Sequence, residues 1–225
     1  QYGHGAVPVA RTIDRFVCGY AVATVDEGLK LRRHGIEKEI LSLGPVSASR
    51  YRECLENDIS LPVFEYRRAK ELSDTAAAEG KTAKIHIAVD TGMSRIGLFP
   101  DEGSVETVKE IAELPALRIA GMFTHFARAD EADKTNAGEQ YRRFRKFCDD
   151  VKAAGVAVPV CHCSNSAGIV ELPDFNMDAV RAGITIYGLY PSDEVKQDII
   201  SLKPAMALKS FITYIKEIGP GTEVS

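Results

Sequence analysis

Residues 18–35 read CGYAVATVDEGLKLRRHG, and two structural periods meet inside them. The first part, Cys18 to Thr24, is a short apolar run that suits a strand. Thr24-Val25-Asp26-Glu27 then has the form of a capping box. A threonine hydroxyl can accept from the N–H three residues on, while the glutamate reaches back to the threonine N–H. Leu29 and Ile36 continue the apolar spacing and Gly35 supplies a stop, so Val25 to His34 reads as a helix. A strand that runs straight into a capped helix is a βα unit.

The unit repeats outward from there. Strands are expected at Ile40 to Leu43, Leu61 to Phe64, Lys84 to Val89, Leu117 to Thr124, Pro159 to Cys163 and Asp178 to Arg181. Helices are expected at Ala48 to Glu56, Arg67 to Ala78, Gly103 to Glu113, Ala137 to Ala153 and Ser166 to Leu172. Alternation of this kind argues for an α/β fold around a parallel sheet. Ahead of Cys18 lies a glycine-rich loop, Tyr2-Gly3-His4-Gly5, and a helical stretch from Val7 to Phe16. A helix in such a repeat follows its own strand, so a further strand is expected before Gln1. The count then reaches the eight that close a (β/α)8 TIM-type barrel. Near the other end, Leu208 to Ile218 alternates with the strand period and Gly219-Pro220-Gly221 reads as a turn. The expected organisation is therefore a barrel over residues 1–203, lacking its first strand, and the start of a C-terminal β domain over 204–225.

Composition sets outer limits. The chain has 225 residues, 45% hydrophobic and 27% charged, with a mean hydropathy of −0.11, the balance of a globular protein. Twenty-eight Lys and Arg against 32 Asp and Glu give a net charge of −4, so no basic field is available for a nucleic acid. The basic patch Arg142-Arg143-Phe144-Arg145-Lys146 reads as a solvated helix face with Phe144 and Phe147 turned to the core. No apolar run approaches the roughly 20 residues of a membrane span, and a cytoplasmic location is expected. Five cysteines fit reduced thiols better than a disulfide framework. Cys161-His162-Cys163 lacks a second ligand pair, so no metal site is expected.

Reactive groups in a barrel stand at the C-terminal ends of its strands, and phosphate binds in the loops after the last two. Arg95, His125, His162 and Arg181 all fall at such ends. Ser164-Asn165-Ser166, opening a short helix, and Gly183-Ile184 offer hydroxyls and backbone N–H groups to an anion. The serine-asparagine-serine stretch is equally consistent with a plain N-cap. Neither a dinucleotide nor a nucleotide-triphosphate loop is present. A small phosphate-bearing ligand is the expectation.

Five segments occur in order: Tyr2-Gly3-His4-Gly5, Val89 to Gly97 (VDTGMSRIG), Phe123 to Ala127 (FTHFA), His162 to Ala167 (HCSNSA) and Val180 to Gly188 (VRAGITIYG). Together they resemble the N-terminal barrel of alanine racemases, fold-type III enzymes dependent on pyridoxal 5'-phosphate (PLP). The resemblance implies a PLP-dependent isomerase that interconverts L- and D-alanine, with serine as an alternative substrate, to supply peptidoglycan precursors. It also implies a homodimer. By the resemblance, Tyr2, Ser166, Gly183 and Ile184 contact the cofactor phosphate, and Asn165 neighbours them in that loop. Arg181 faces the pyridine nitrogen, His125 packs on the ring, His162 belongs to the network around Arg181, and Arg95 holds the substrate carboxylate. An arginine, always a donor, would keep that nitrogen unprotonated.

Three departures accompany the resemblance. The family's cofactor lysine falls ahead of Gln1, and its tyrosine base falls in the second domain, beyond this sequence; the chain alone is therefore expected to be inactive. The third is Ala88, where many family members carry a carbamylated lysine that orients the carboxylate-binding arginine. Two other readings share the barrel. A basic-amino-acid decarboxylase has a glycine-rich phosphate loop where this chain has Ser164-Asn165-Ser166, and a single-domain PLP carrier has no second domain.

Overall fold

The Thr24 hydroxyl accepts from the Glu27 N–H at 3.4 Å, and the Glu27 carboxylate accepts from the N–H groups of Ala23 and Thr24 at 2.8 and 3.4 Å. The capping box thus forms in the computed structural model, which describes residues 3–224. It joins strand β1 (Gly19–Val22) to helix α2 (Val25–Arg33), after an opening helix α1 (Ala6–Ile13). The cycle continues through β2 (Glu39–Ser42), α3 (Tyr51–Glu56), β3 (Ile59–Val63), α4 (Tyr66–Ala78), β4 (Ala83–Ala88) and α5 (Glu102–Ala112). It ends with β5 (Leu117–Phe123), α6 (Thr135–Ala153), β6 (Cys161–His162) and α7 (Ser166–Glu171).

Every strand pairs in parallel with its sequence neighbour, in the order β1-β2-β3-β4-β5-β6. Parallel neighbours need a crossover, and the helices supply it. The result is a curled α/β barrel wall with helices outside. Ile40, Ile85, Ile87 and Met122 on the strands pack with Leu29, Leu72, Val108, Ile111, Phe144, Phe147 and Val151 on the helices in one buried cluster. Phe144 and Phe147 face the core while Arg142, Arg143, Arg145 and Lys146 stay exposed, as the spacing of that helix predicts. Side chains alternate along a strand, so the residues between the apolar ones turn to the other face, among them Ser60, His86 and His162, all buried.

At His86 the pairing of β4 with β5 slips by one residue, between Ile85 and His86. Gly121 lies opposite. A Cβ there would sit 2.6 Å from the His86 ring and 2.7 Å from the Val160 carbonyl oxygen, so only glycine leaves room for the imidazole.

Two expected strands do not form. Residues 178–181 contribute a single parallel bridge, His162 with Ala179. The Asp178 carboxylate takes the Cys161 N–H at 2.8 Å, so a side chain occupies a place in the ladder that a backbone carbonyl would fill. Residues 208–218 have no strand assignment; Leu208, Phe211, Ile212, Tyr214 and Ile215 are all exposed, and no neighbouring strand among the described residues satisfies their backbone. The turn that follows does form, with the Thr222 N–H donating to the Gly219 carbonyl.

Candidate active site

Arg181 sits where β5 and β6 end, and its guanidinium is almost fully committed. Nη1 donates to the His162 carbonyl at 3.1 Å and meets His162 Nδ1 at 2.6 Å. Nη2 donates to the carbonyls of Thr124 at 2.6 Å and Cys163 at 3.1 Å. The Arg181 N–H in turn donates to the Ser164 carbonyl at 2.9 Å. Phe123 lies beneath, its ring centroid 5.6 Å from the guanidinium carbon and stacked on His162. Burial draws the Arg181 pKa down to about 10, which leaves it charged at neutral pH. One donor is left over: Nε is buried without a hydrogen-bond partner.

His125 Nδ1 stands 3.4 Å from Arg181 Nη2. Burial first, then the charges of Arg181 and Arg95, lowers the His125 pKa to about 4, so its imidazole is neutral. His162 is pushed well below the ordinary histidine value, chiefly by burial and then by Arg181 and His86. Both of its nitrogens are engaged, by Arg181 and by His86 Nδ1 at 3.0 Å. A metal would find no lone pair there, which removes the attraction of the Cys161-His162-Cys163 triplet. The Cys163 thiol is held by the Phe175 carbonyl.

Asn165 caps α7, its side chain accepting from the Gly168 N–H at 3.1 Å. Ser166 is buried at the first residue of that helix. Its hydroxyl accepts from the Gly183 N–H at 2.9 Å and the Thr185 N–H at 3.5 Å. Ile184 opens the 3-10 turn Ile184–Tyr187 directly behind Gly183. A Cβ on Gly183 would stand 3.5 Å from the Ser166 hydroxyl, an ordinary contact. Tyr2 lies outside the described residues.

Arg95 reaches the same rim from the loop after β4. The Asp90 carboxylate ties that loop by accepting from the N–H groups of Gly92 and Ser94 at 3.0 and 2.9 Å. Gly97 closes it at φ +129, where a Cβ would meet the Asp90 nitrogen at 2.4 Å. Arg95, Ala88 and His125 line one small cavity, although the Arg95 side chain is otherwise exposed.

Three contributors escape a reading by motif. Gln140 on α6 donates to Thr91 Oγ1 and the His125 carbonyl, both at 3.1 Å, and accepts from the Ala127 N–H at 2.8 Å. It lashes the Arg95 loop to the His125 loop. Its signal was a polar residue on the apolar stripe of Ala137, Phe144, Phe147 and Val151. His86 is likewise a polar residue inside a wholly buried run. Glu39, whose Oε1 lies 3.3 Å from His86 Nε2, has no local signal.

A parallel α/β wall with an arginine and two neutral imidazoles gathered at the C-terminal ends of its strands defines the class, a TIM-type barrel domain. The chain belongs to the alanine racemase family: the family model for the alanine racemase N-terminal domain matches residues 1–191. It is 46% identical over 225 residues to an alanine racemase of Clostridium novyi and 42% identical to one of Methanococcus maripaludis, covering all of this chain and 58% and 60% of those proteins. Among solved structures, an alanine racemase of Clostridium difficile 630 superposes over 100% of this chain and 59% of its own, with a TM-score of 0.94 at 41% identity. The alanine racemase of Bacillus anthracis with bound L-Ala-P superposes over 91% of this chain and 53% of its own, with a TM-score of 0.82 at 38% identity. The chain thus spans about three fifths of the length of the curated relatives it matches. Among the described residues no helix is long and apolar enough to cross a membrane.

Proposed function

We propose that this chain is the cofactor-binding barrel of a PLP-dependent racemase that interconverts L- and D-alanine, acting in the cytoplasm as a homodimer to supply D-alanine for the cell wall. The observation that carries this reading is the leftover donor of Arg181, a buried Nε–H without a protein acceptor. A buried donor of this kind is costly to leave unmade, and a ring nitrogen with a free lone pair satisfies it. The other end of the site suits PLP too: the Ser166 hydroxyl accepts from the N–H groups of Gly183 and Thr185, which leaves its own O–H to donate to a phosphate and keeps the two N–H groups beside it.

Bound PLP would supply an electron sink that loosens the proton on the substrate Cα. The residues of this chain bind and orient. Arg181 is held in place by four acceptors, so its remaining donor would meet the ring nitrogen of bound PLP as a hydrogen-bond donor and keep it unprotonated. His125, neutral, offers a flat face against the ring without adding charge. Arg95 is the group for the substrate carboxylate. The proton-exchanging lysine and tyrosine that the family resemblance implies lie ahead of Gln1 and beyond Ser225. Residues 204–225 are read as the first stretch of the C-terminal β domain, which would cover the apolar side chains exposed along 208–218.

The test is racemisation of L-alanine by the full-length protein, followed by chiral separation of the product, with Arg181→Glu alongside. The variant is expected to lose at least about 100-fold in rate, the scale for removing one preorganised donor. An unchanged rate would overturn the assignment.

A further inference from the structure

Arg181, His162, His86 and Glu39 form one hydrogen-bonded line through the barrel, with links of 2.6, 3.0 and 3.3 Å. Its two ends come from opposite ends of the strands: Arg181 stands at the C-terminal rim, and Glu39 is the first residue of β2. The middle of the line is buried, with His86 5% and His162 4% exposed.

The chemistry of the end groups fixes every proton. Arginine has donors only, so at the Arg181 contact His162 Nδ1 must be the acceptor and carry no proton. The single proton of the neutral ring then sits on Nε2 and donates to His86 Nδ1. His86 Nδ1 is therefore bare as well, and its proton on Nε2 faces Glu39 Oε1. An ionised carboxylate has acceptors only, so the line ends consistently. The Ser60 hydroxyl holds the same oxygen at 2.9 Å. The hydrogen bond from His86 and that from Ser60 hold the Glu39 pKa down to about 2, against the opposing effect of its partial burial. Reversing any one link would put two donors or two acceptors face to face inside the barrel.

We propose that Glu39 is a positioning residue for Arg181: its carboxylate is the terminal acceptor for the Nε2–H order that Arg181 imposes on both imidazoles, and so holds the two rings in the line that keeps Arg181 clamped as a donor with Nε turned to the ligand. Hydrogen bonds in series polarise one another in a low-dielectric interior, so the carboxylate also opposes the arginine charge at a distance. The slip at Ile85/His86 and the absence of a side chain at Gly121 are the local devices that admit the His86 ring to this line. The functional meaning of the clamp rests on the proposed role of Arg181; the proton order does not.

The experiment is solid-state NMR of the full-length protein labelled with 15N-histidine, with His86 and His162 assigned by substitution. The expected wild-type spectrum shows both rings neutral, with Nε2 protonated and Nδ1 bare. Glu39→Leu, which removes the acceptor, is expected to keep the tautomers that Arg181 dictates but to move the His86 Nε2 resonance off its hydrogen-bonded position. Glu39→Gln, whose carbonyl oxygen can still accept, is expected to restore it. Protonated Nδ1 on either ring in the wild type, or a Glu39→Leu spectrum unchanged from wild type, overturns the proposal. A protein that binds no PLP would instead refute the racemase reading and leave these spectra to stand or fall on their own.

Discussion

Two arginines flank the rim, and they are built in opposite ways. Arg181 spends four of its five donors on acceptors from β5, β6 and the loop behind them before any ligand arrives. Arg95 rises from a loop that is itself tightly tied, but its side chain is exposed and no hydrogen bond or ion pair among the described residues fixes it. The difference is one of preorganisation. The half of the site proposed for the cofactor is finished by the barrel alone, whereas the half proposed for the substrate leaves its charged group free to adapt.

That contrast predicts a large asymmetry in stability. Arg181→Ala strips the donor from three backbone carbonyls and from His162 Nδ1 inside the barrel. Each buried group left unmade costs on the order of 1–3 kcal/mol, so the full-length protein is expected to lose about 4 kcal/mol in chemical denaturation. A loss below about 1 kcal/mol would mean that Arg181 is less committed than its contacts indicate.

Acid should find the same half of the site. His125 titrates near 4 in the fold against an ordinary value of 6.5, and His162 is displaced in the same direction. The unfolded chain therefore binds more protons as pH falls below 6.5, and stability declines from there towards pH 4. Glu39, held down to about 2, has the sign of a carboxylate: its contribution is intact above its unfolded pKa and is lost only as pH falls through its folded value. For His125 alone the loss is at most about 3 kcal/mol. Denaturation curves from pH 7 to pH 4 should be shallower in pH for His125→Phe than for wild type. Parallel curves would show that His125 is not held neutral by the fold.

The two halves were also unequally legible in the sequence. The βα rhythm, the Thr24 cap and the placement of Arg95, His125 and His162 at or just beyond strand ends are local properties, carried by spacing over a few residues, whereas Arg181 reaches the rim without the strand expected to end on it. The line behind Arg181 is not local. Glu39 and His86 stand 47 residues apart and meet because parallel strands two places apart in the wall share an interior face. Nothing within a short window around Glu39 distinguishes it from a solvated strand end. Asp178 shows the converse failure: residues 178–181 have strand-like composition, but a side chain takes the ladder position and pairing stops at one bridge. Alternation along 208–218 likewise describes what a strand would need, and a strand exists only when a neighbour satisfies its backbone.

Arg95 gives the smallest effect on the fold and the sharpest test of the comparison. Its neighbour in the cavity is Ala88, a residue 1% exposed whose methyl group offers neither charge nor hydrogen bond. An exposed guanidinium with no fixed partner leaves nothing unpaired when it is removed, so Arg95→Ala is expected to change stability by no more than about 0.5 kcal/mol. Its cost should fall on substrate. Loss of a charge-assisted contact to a carboxylate is worth roughly 1.5–3 kcal/mol, and the full-length enzyme is expected to show a KM for alanine raised about tenfold or more, with a smaller change in kcat. Arg95→Lys keeps the charge but not the planar fork, and should recover only part of the loss. Destabilisation approaching that of Arg181→Ala would abolish the distinction between a prebuilt and an adaptable half, and an unchanged KM would remove Arg95 from the substrate altogether.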